Sequence, residues 1–273
     1  MEEGCEHAVG LADSSLSGKV AEMFERLPQP QWIAARDLRA DAKMRLFCLP
    51  HAGSGIAVYY RWKRALSGID VCPVMLPGRE MRVGEASIDS AATLVHELME
   101  ATRDCLDVPY AIFGHSMGAL LAYEWARAIQ AAGIEAPHCL FVSGRNAPHL
   151  PFAHRELHGL SDAGFVAELR RRYGGMPENF LDDEELRELF LPVLRADLKL
   201  VETYEHEAGR LLDCPVRAWA GMEDASVSEP GLASWAELTR GDFAMRRFAG
   251  DHFYHMGVGQ TPVLEAIAAE LSG

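Results

Sequence analysis

The sequence predicts an α/β fold in which a mostly parallel central sheet is covered by helices on both faces. The first observation is an alternation of short apolar runs with amphipathic runs between residues 44 and 143, which is typical of parallel strands joined by helices. The second is the break in this alternation at residues 147–211, where only helical patterns follow two prolines. The third is its return at residues 214–248. Together they predict one sheet with a helical lid inserted above its carboxyl edge.

Each element has its own signal in the sequence. Six apolar runs, bounded by glycine, proline or polar turn residues, predict strands at residues 45–49, 70–76, 110–113, 138–143, 214–220 and 243–248. Apolar residues that recur every three or four positions predict helices at residues 88–106, 117–131, 162–172, 183–191, 194–207 and 262–271. Asp89 or Ser90 is the expected N-cap of the first helix, and Gly133 is expected to end the second.

The 273 residues suit one such domain, and a hydrophobic content of 49% is enough for a large core. Residues 1–30 are acidic and contain serine and glycine, so we expect a poorly ordered extension with one short helix at residues 18–27. The domain itself is expected to span residues 31–273. Because no apolar run is long enough for a bilayer and no basic-then-apolar leader is found, we expect a cytoplasmic protein without membrane contact.

Charge and cysteine content argue against several classes of function. The formal net charge of −14 argues against a nucleic acid partner, since no basic face could easily outweigh it. No two of the six cysteines have the C-x-x-C spacing. Several lie in apolar runs, where a thiol behaves as a small hydrophobic group. Neither a disulfide framework nor a zinc site follows, and we expect no metal and no cofactor.

The most informative stretch is Gly114-His-Ser-Met-Gly118, which matches G-x-S-x-G and lies between a predicted strand and a predicted helix. A strand that reverses sharply into a helix forces the central residue into a strained conformation, and the flanking glycines remove Cβ atoms that would clash. The positive end of the helix favours negative charge as it develops beside Ser116. We therefore predict that Ser116 is a nucleophile; a tight glycine turn with a bystander serine is the alternative.

A second glycine-containing turn, Pro50-His-Ala-Gly-Ser-Gly55, follows the first predicted strand. An α/β hydrolase places a backbone N–H in this turn, facing the nucleophile, to stabilise the oxyanion. We predict Ala52 as this donor, with Gly53 as the second choice, and the N–H of Met117 as the other donor. An ordinary turn is the alternative, whereas a phosphate loop is excluded because the Lys-Ser/Thr ending is missing.

A serine nucleophile needs a base, and in α/β hydrolases the chain order is serine, acid, histidine, each after a strand. Of the eleven histidines, His252 directly follows the last predicted strand and is the predicted base, with His255 as the second choice. His51 and His115 have the wrong chain order for this role. A purely structural histidine is the alternative in each case.

The predicted acid is Asp224, because it follows the strand that ends at residue 220 in a turn at the carboxyl edge of the sheet. Glu223 matches this position less well. Asp251 adjoins the base and could hardly fold back to it, and Asp197 lies within the helical insertion. The predicted site is therefore a serine–histidine–aspartate triad.

Further stretches accompany these residues between residues 45 and 256: Leu49-Pro-His-Ala-Gly53, Leu76-Pro-Gly-Arg79, Pro148-His-Leu-Pro151, Leu191-Pro-Val-Leu-Arg-Ala-Asp197, Gly221-Met-Glu-Asp224 and Gly250-Asp-His252. G-H-S-M-G alone is shared with many hydrolases, but the combination resembles the type II thioesterases that accompany polyketide and nonribosomal peptide synthases. The resemblance implies an α/β-hydrolase fold. It also implies hydrolysis of acyl thioesters on the phosphopantetheine arms of carrier proteins, which clears stalled chains without a metal or cofactor.

Two other classes of protein use the same fold. A carboxylesterase or lipase acting on free esters has the same triad, whereas a hydrolase-fold binding protein would usually lack one of its members. Carrier proteins are typically acidic, as this chain is, so a local basic patch is needed for docking. The three arginines at residues 170–172 are one candidate, although a solvated helix face is the simpler interpretation, and Arg79 and Arg145 are alternatives.

The insertion at residues 147–211 is expected to form a lid that moves and lines the acyl pocket, rather than a fixed part of the core. Its position between two sheet strands would place it above the predicted nucleophile. Its apolar residues would then face either the chamber or the sheet, and they include Phe165, Leu169, Phe190, Leu194 and Leu198.

Overall fold

The computed structural model describes residues 32–34, 37–39, 41–151, 156–173 and 183–272. The extension expected at residues 1–30, with its short helix, lies outside the described residues, and the domain boundary therefore stays a prediction. Within the described ranges, no helix is both long enough and apolar enough to cross a membrane.

Six parallel strands form the central sheet of the described chain, which confirms the predicted α/β fold. They are β1 (Arg45–Leu49), β2 (Asp70–Pro73), β3 (Tyr110–His115), β4 (Leu140–Ser143), β5 (Val216–Gly221) and β6 (Phe243–Phe248). Their order across the sheet is β2-β1-β3-β4-β5-β6, so the chain first runs outward from β1 and then crosses back to β3. Where the winding reverses, between β1 and β3, the carboxyl ends of the strands leave the crevice in which open α/β sheets bind ligands.

Helices cover both faces of this sheet. They are α1 (Trp62–Ala65), α2 (Ala91–Thr102), α3 (Met117–Ala131), α4 (Asp162–Tyr173), α5 (Glu184–Glu202), α6 (Glu229–Ala233) and α7 (Gln260–Leu271). Because successive residues of a strand point to opposite faces, β1 contributes Phe47 to the apolar cluster with α2 and α3, and Leu46 to the cluster with α1 and α7. As predicted, Ser90 caps α2 by accepting a hydrogen bond from the Thr93 N–H.

The insertion differs from the expected arrangement in its second half. The helical stretches expected at residues 183–191 and 194–207 form one helix, α5, which passes through Pro192 and ends at Glu202. A proline disfavours a helix interior because it lacks the N–H and crowds the preceding turn. Here tertiary packing outweighs that preference, since leucines on both sides of the proline are buried in one cluster with α4. The described parts of residues 147–211 contain no strand.

Candidate active site

Ser116 lies at the sharp turn between β3 and α3, in the middle of the sheet. Its backbone has φ 55° and ψ −111°, which a residue with a side chain rarely adopts. A Cβ atom on Gly114 would lie 2.0 Å from the carbonyl oxygen of Gly118, and one on Gly118 would lie 2.2 Å from that of Leu49. The two glycines are therefore needed for the backbone to approach so closely, which is the mechanical reason predicted from the motif.

His252 and Asp224 lie on two neighbouring loops at the same edge of the sheet, after β6 and β5 respectively. The loops are joined by a backbone hydrogen bond of 3.0 Å from the Glu223 N–H to the Gly250 carbonyl. Nδ1 of His252 lies 2.7 Å from Oδ2 of Asp224, and both side chains are buried. Because the carboxylate engages Nδ1, the other ring nitrogen, Nε2, is the one that can exchange a proton in the cavity that His252 shares with Ser116.

Ser226 supplies the second partner of the Asp224 carboxylate and was not identified from the sequence. The Asp224 Oδ1 atom accepts hydrogen bonds from the Ser226 N–H at 2.9 Å and from the Ser226 hydroxyl at 2.5 Å. Burial opposes ionisation of Asp224, but the hydrogen bond and charge of His252, together with Ser226, hold its pKa below the ordinary value. A signal was present, because aspartate side chains commonly accept from the backbone N–H two residues on.

The other acidic residues considered as alternatives to Asp224 lie in different surroundings. Glu223 is exposed, and Asp251 is exposed and accepts a 2.8 Å hydrogen bond from the Phe253 N–H. Asp197 is fully buried, but it pairs with Arg79 rather than with a histidine.

A cavity of about 150 Å³ lies between the insertion and the carboxyl edge of the sheet. Ser116, Met117, Ala52 and His252 line one side of it. Of the apolar lid residues predicted to face the chamber or the sheet, three line the other side: Leu169, Leu194 and Leu198. Phe165 is instead buried within the cluster formed by the insertion itself, and Phe190 is partly buried. The cavity thus places the predicted nucleophile and base opposite a largely apolar wall that suits an acyl chain.

Residues 44–271 match the thioesterase domain family. The chain belongs to this family. Gramicidin S biosynthesis protein GrsT of Aneurinibacillus migulanus is 37% identical over 225 residues, which cover 82% of this chain and 88% of GrsT. The solved structure of the type II thioesterase BorB from the borrelidin biosynthetic cluster is 37% identical, with a TM-score of 0.80 and coverage of 90% of this chain and 99% of BorB. RedJ, a thioesterase of the prodiginine pathway in Streptomyces coelicolor, is 36% identical with a TM-score of 0.79, covering 85% and 91%.

These similarities confirm the resemblance to type II thioesterases that the sequence motifs indicated. Two of those motifs contact each other in this thioesterase. The last residue of Leu-Pro-Gly-Arg, after β2, is hydrogen-bonded to the last residue of Leu-Arg-Ala-Asp, in α5. Arg79 donates two hydrogen bonds to Asp197, of 2.6 and 2.7 Å, and both side chains are buried. The Gly53 N–H also donates to Asp197, at 2.7 Å. Asp197 therefore ties α5, the long helix of the predicted lid, to the turn that was predicted to stabilise the oxyanion.

This contact bears on the choice of oxyanion donors. The N–H of Gly53, the second choice from the sequence, is already bonded to Asp197. Ala52, its neighbour, lines the cavity beside Ser116, and so does Met117, the first residue of α3. Because the first N–H groups of a helix have no intrahelical acceptor, that of Met117 is suited to a ligand. Ala52 and Met117 thus stay the predicted pair of donors.

Replacing Asp197 by asparagine is expected to lower the free energy of unfolding by about 3 kcal/mol or more, because it leaves a buried arginine without a counter-charge. Urea unfolding followed by circular dichroism would measure the change. The matched control is Asp41→Asn, since Asp41 pairs with Arg39 in an exposed salt bridge that solvent screens and that should contribute much less to stability. Equal effects of the two substitutions would contradict the stabilising role of the buried pair.

Three further histidines, His51, His115 and His255, surround the catalytic candidate His252. The rings of His115 and His255 stack with centroids 3.8 Å apart, and the His252 ring lies 4.9 Å from that of His115. Burial, followed by the charge on neighbouring rings, lowers the pKa of His51 to about 3 and those of His115 and His255 well below 6.5. They are therefore neutral. His255, the second choice for the base, stacks on His115, whereas Asp224 pairs with His252.

These neutral histidines predict that the folded state loses stability in acid. The unfolded chain binds protons below about pH 6.5 that the folded chain does not, so the free energy of unfolding falls as pH decreases. His51 alone is expected to contribute a loss of about 2 kcal/mol at pH 5. Both ring nitrogens of His255 are buried without a hydrogen-bond partner among the described residues, so this ring can be replaced by an apolar one.

His255→Phe is therefore expected to make unfolding less dependent on pH and to stabilise the protein most at pH 5. Urea titrations at pH 5 and pH 8 would measure this difference. His96→Phe is the matched control, because it makes the same substitution at an exposed position on α2, outside the histidine cluster. An unaltered difference between the two pH values in His255→Phe would show that His255 is not held neutral by burial.

Proposed function

We propose that this thioesterase hydrolyses acyl thioesters on the phosphopantetheine arms of carrier proteins in a polyketide or nonribosomal peptide synthase. The observation that carries the proposal is the cavity itself. A strained serine, a histidine bonded to a buried carboxylate and an apolar wall converge there. The relatives support the substrate class, because they include BorB, a type II thioesterase from the borrelidin biosynthetic cluster, and GrsT, a gramicidin S biosynthesis protein.

In the proposed first half-reaction, the Ser116 hydroxyl oxygen attacks the thioester carbonyl carbon while Nε2 of His252 accepts its proton. Asp224 holds the imidazole through Nδ1 and stabilises the imidazolium that forms. The N–H groups of Met117 and Ala52 donate to the oxyanion of the tetrahedral intermediate. When the carbon–sulfur bond breaks, His252 returns the proton to the departing thiolate, which leaves the carrier arm as a thiol.

In the second half-reaction, water attacks the acyl-serine ester and His252 accepts a proton from it. Collapse of this intermediate breaks the bond to the Ser116 oxygen, and His252 protonates that oxygen. The products are a free acid and the regenerated serine. The apolar wall formed by Leu169, Leu194 and Leu198 holds the acyl chain during both steps.

Acyl-loaded carrier proteins are the proposed partners, and nucleic acid and membranes are not. A net charge of −14 would repel a nucleic acid backbone. We also propose that the enzyme works in the cytoplasm, where the expected synthases act. The five cysteines of the described chain are all free thiols, which fits a reducing compartment.

Incubation with a panel of acyl-loaded carrier proteins, with acid release followed by mass spectrometry, tests this proposal. We expect faster release from carrier thioesters than from simple esters of the same acids. A clear preference for free esters would favour a carboxylesterase or lipase, which uses the same triad. Tight binding of acyl carriers without any turnover would favour a non-enzymatic binding protein.

A further inference from the structure

Two loops at the carboxyl edge of the sheet expose large apolar side chains. Tyr60 follows β1 and is 47% exposed, whereas Met81 and Val83 follow β2 and are 76% and 52% exposed. These three are half of the six large hydrophobic residues that are exposed in the described chain. Such clusters on a protein surface commonly mark a place where another molecule binds.

Glu80 joins the two loops into one surface. Its carboxylate accepts hydrogen bonds from the N–H of Ile56 at 2.8 Å and from that of Ala57 at 3.1 Å. Glu80 also has φ 48°, in the left-handed region that residues with side chains rarely adopt. A strained residue of this kind persists only when its surroundings hold it in place, so Met81 is presented from a fixed backbone.

The segment that begins at Ile56 and Ala57, to which Glu80 binds, carries positive charge in an acidic protein. Residues 54–69 contain Arg61, Lys63 and Arg64 but no aspartate or glutamate, whereas the whole chain has a net charge of −14. Arg61 and Arg64 are exposed, and neither forms an ion pair with a described residue. Lys63 pairs with Asp37 and lies 5.8 Å from the ring of Tyr60. A partner with an acidic surface would be attracted to this face.

The basic candidates named from the sequence are less suited to docking. Arg79 is buried in its pair with Asp197. Arg171 and Arg172 both pair with Glu168 of the same helix, and the side chain of Arg172 is only 8% exposed. Arg145 lines the catalytic cavity, so it faces the bound arm rather than the body of a partner.

We propose a docking patch that binds the acidic surface of the carrier protein whose arm enters the cavity. The patch consists of Tyr60, Arg61, Arg64, Met81 and Val83. The proposal rests on the proposed function. The patch is connected to the site along the chain, because the loop that ends at Tyr60 begins with His51 and Ala52, which line the cavity. The arginines attract the acidic carrier, and the apolar side chains hold it by excluding water.

Charge reversal of both arginines tests the docking patch. Arg61→Glu/Arg64→Glu is expected to lower kcat/KM for an acyl-carrier substrate by roughly tenfold or more, mainly through KM, because it places like charges opposite each other. Turnover of a small acyl thioester of N-acetylcysteamine should stay unchanged, since that substrate has no carrier surface. Arg103→Glu/Arg240→Glu makes the same change in net charge at exposed positions outside the patch and should affect neither substrate.

The apolar half is tested separately by Met81→Ser, which should raise KM for the acyl carrier and leave the small thioester unaffected. If Arg61→Glu/Arg64→Glu matches its control on the acyl carrier, the docking patch is wrong although the proposed function stands. If the unmodified enzyme hydrolyses neither thioester, the proposed function fails and this inference fails with it. Equal loss on both substrates would place the defect in the catalytic site and would also overturn the patch.

Discussion

Ser116→Ala is expected to lower kcat for thioester hydrolysis by about six orders of magnitude, as loss of the nucleophile does in serine proteases. The physical reason is that no acyl-enzyme can form, and water alone would have to attack the thioester. Because the smaller side chain adds no bulk at the strained turn, the fold and the affinity for acyl carriers should be retained. Steady-state kinetics on an acyl-carrier substrate would measure the loss.

Mass spectrometry of the intact protein gives a second measurement of the same prediction. With a slowly hydrolysed acyl thioester, the unmodified enzyme should gain the mass of one acyl group, whereas Ser116→Ala should gain none. Ser67→Ala is a suitable control, because Ser67 is exposed after α1 and should behave as the unmodified enzyme. If purified Ser116→Ala hydrolysed the thioester with an unchanged kcat, the assignment of Ser116 as the nucleophile would be wrong.

Asp224→Asn is expected to lower kcat by about four orders of magnitude, by analogy with the same substitution in serine proteases. The amide would donate a hydrogen bond to Nδ1 of His252, at the position where the carboxylate oxygen now lies 2.7 Å away. The ring would then carry its proton on Nε2, and it could no longer accept the proton of Ser116. The side-chain volume hardly changes, so a folded but poorly active enzyme should result.

Asp251→Asn is the matched control for the acid, since Asp251 is exposed and bonds only to a neighbouring backbone N–H in the described chain. It should retain nearly full activity. Asp197→Asn should be less stable than the unmodified enzyme, because Arg79 would stay buried without a counter-charge. Near-normal kinetics in Asp224→Asn together with an inactive Asp251→Asn would show that Asp251, and not Asp224, is the catalytic acid.

Chain order along a parallel sheet was sufficient to predict which candidate site residues lie together. Ser116, Asp224 and His252 each follow a strand, and parallel strands bring their carboxyl ends to one edge. The hydrogen bond between His252 and Asp224 is therefore a consequence of topology that can be anticipated without coordinates. The glycines around Ser116 were equally predictable, because a steric requirement at a turn is local.

Contacts between side chains far apart in the sequence could not be predicted in the same way. Arg79 and Asp197 are separated by 118 positions, and their pairing depends on how α5 lies across the loops. Packing also overrode the local signal of Pro192, which had suggested a break in the helix. The stack of His115 and His255 was not predicted, because chain order places residues at one edge of the sheet but does not determine how two rings pack there.

The pairing of Arg79 with Asp197 has a consequence for engineering. Because Asp197 lies on the lid helix and also accepts the Gly53 N–H, the lid cannot be exchanged as an independent module. A lid from a relative with another residue at position 197 would leave Arg79 buried without a carboxylate partner and would release the Gly53 turn beside Ser116. Chimeras designed to change acyl-chain preference should therefore transfer both partners together, or keep α5 and vary the other walls of the chamber.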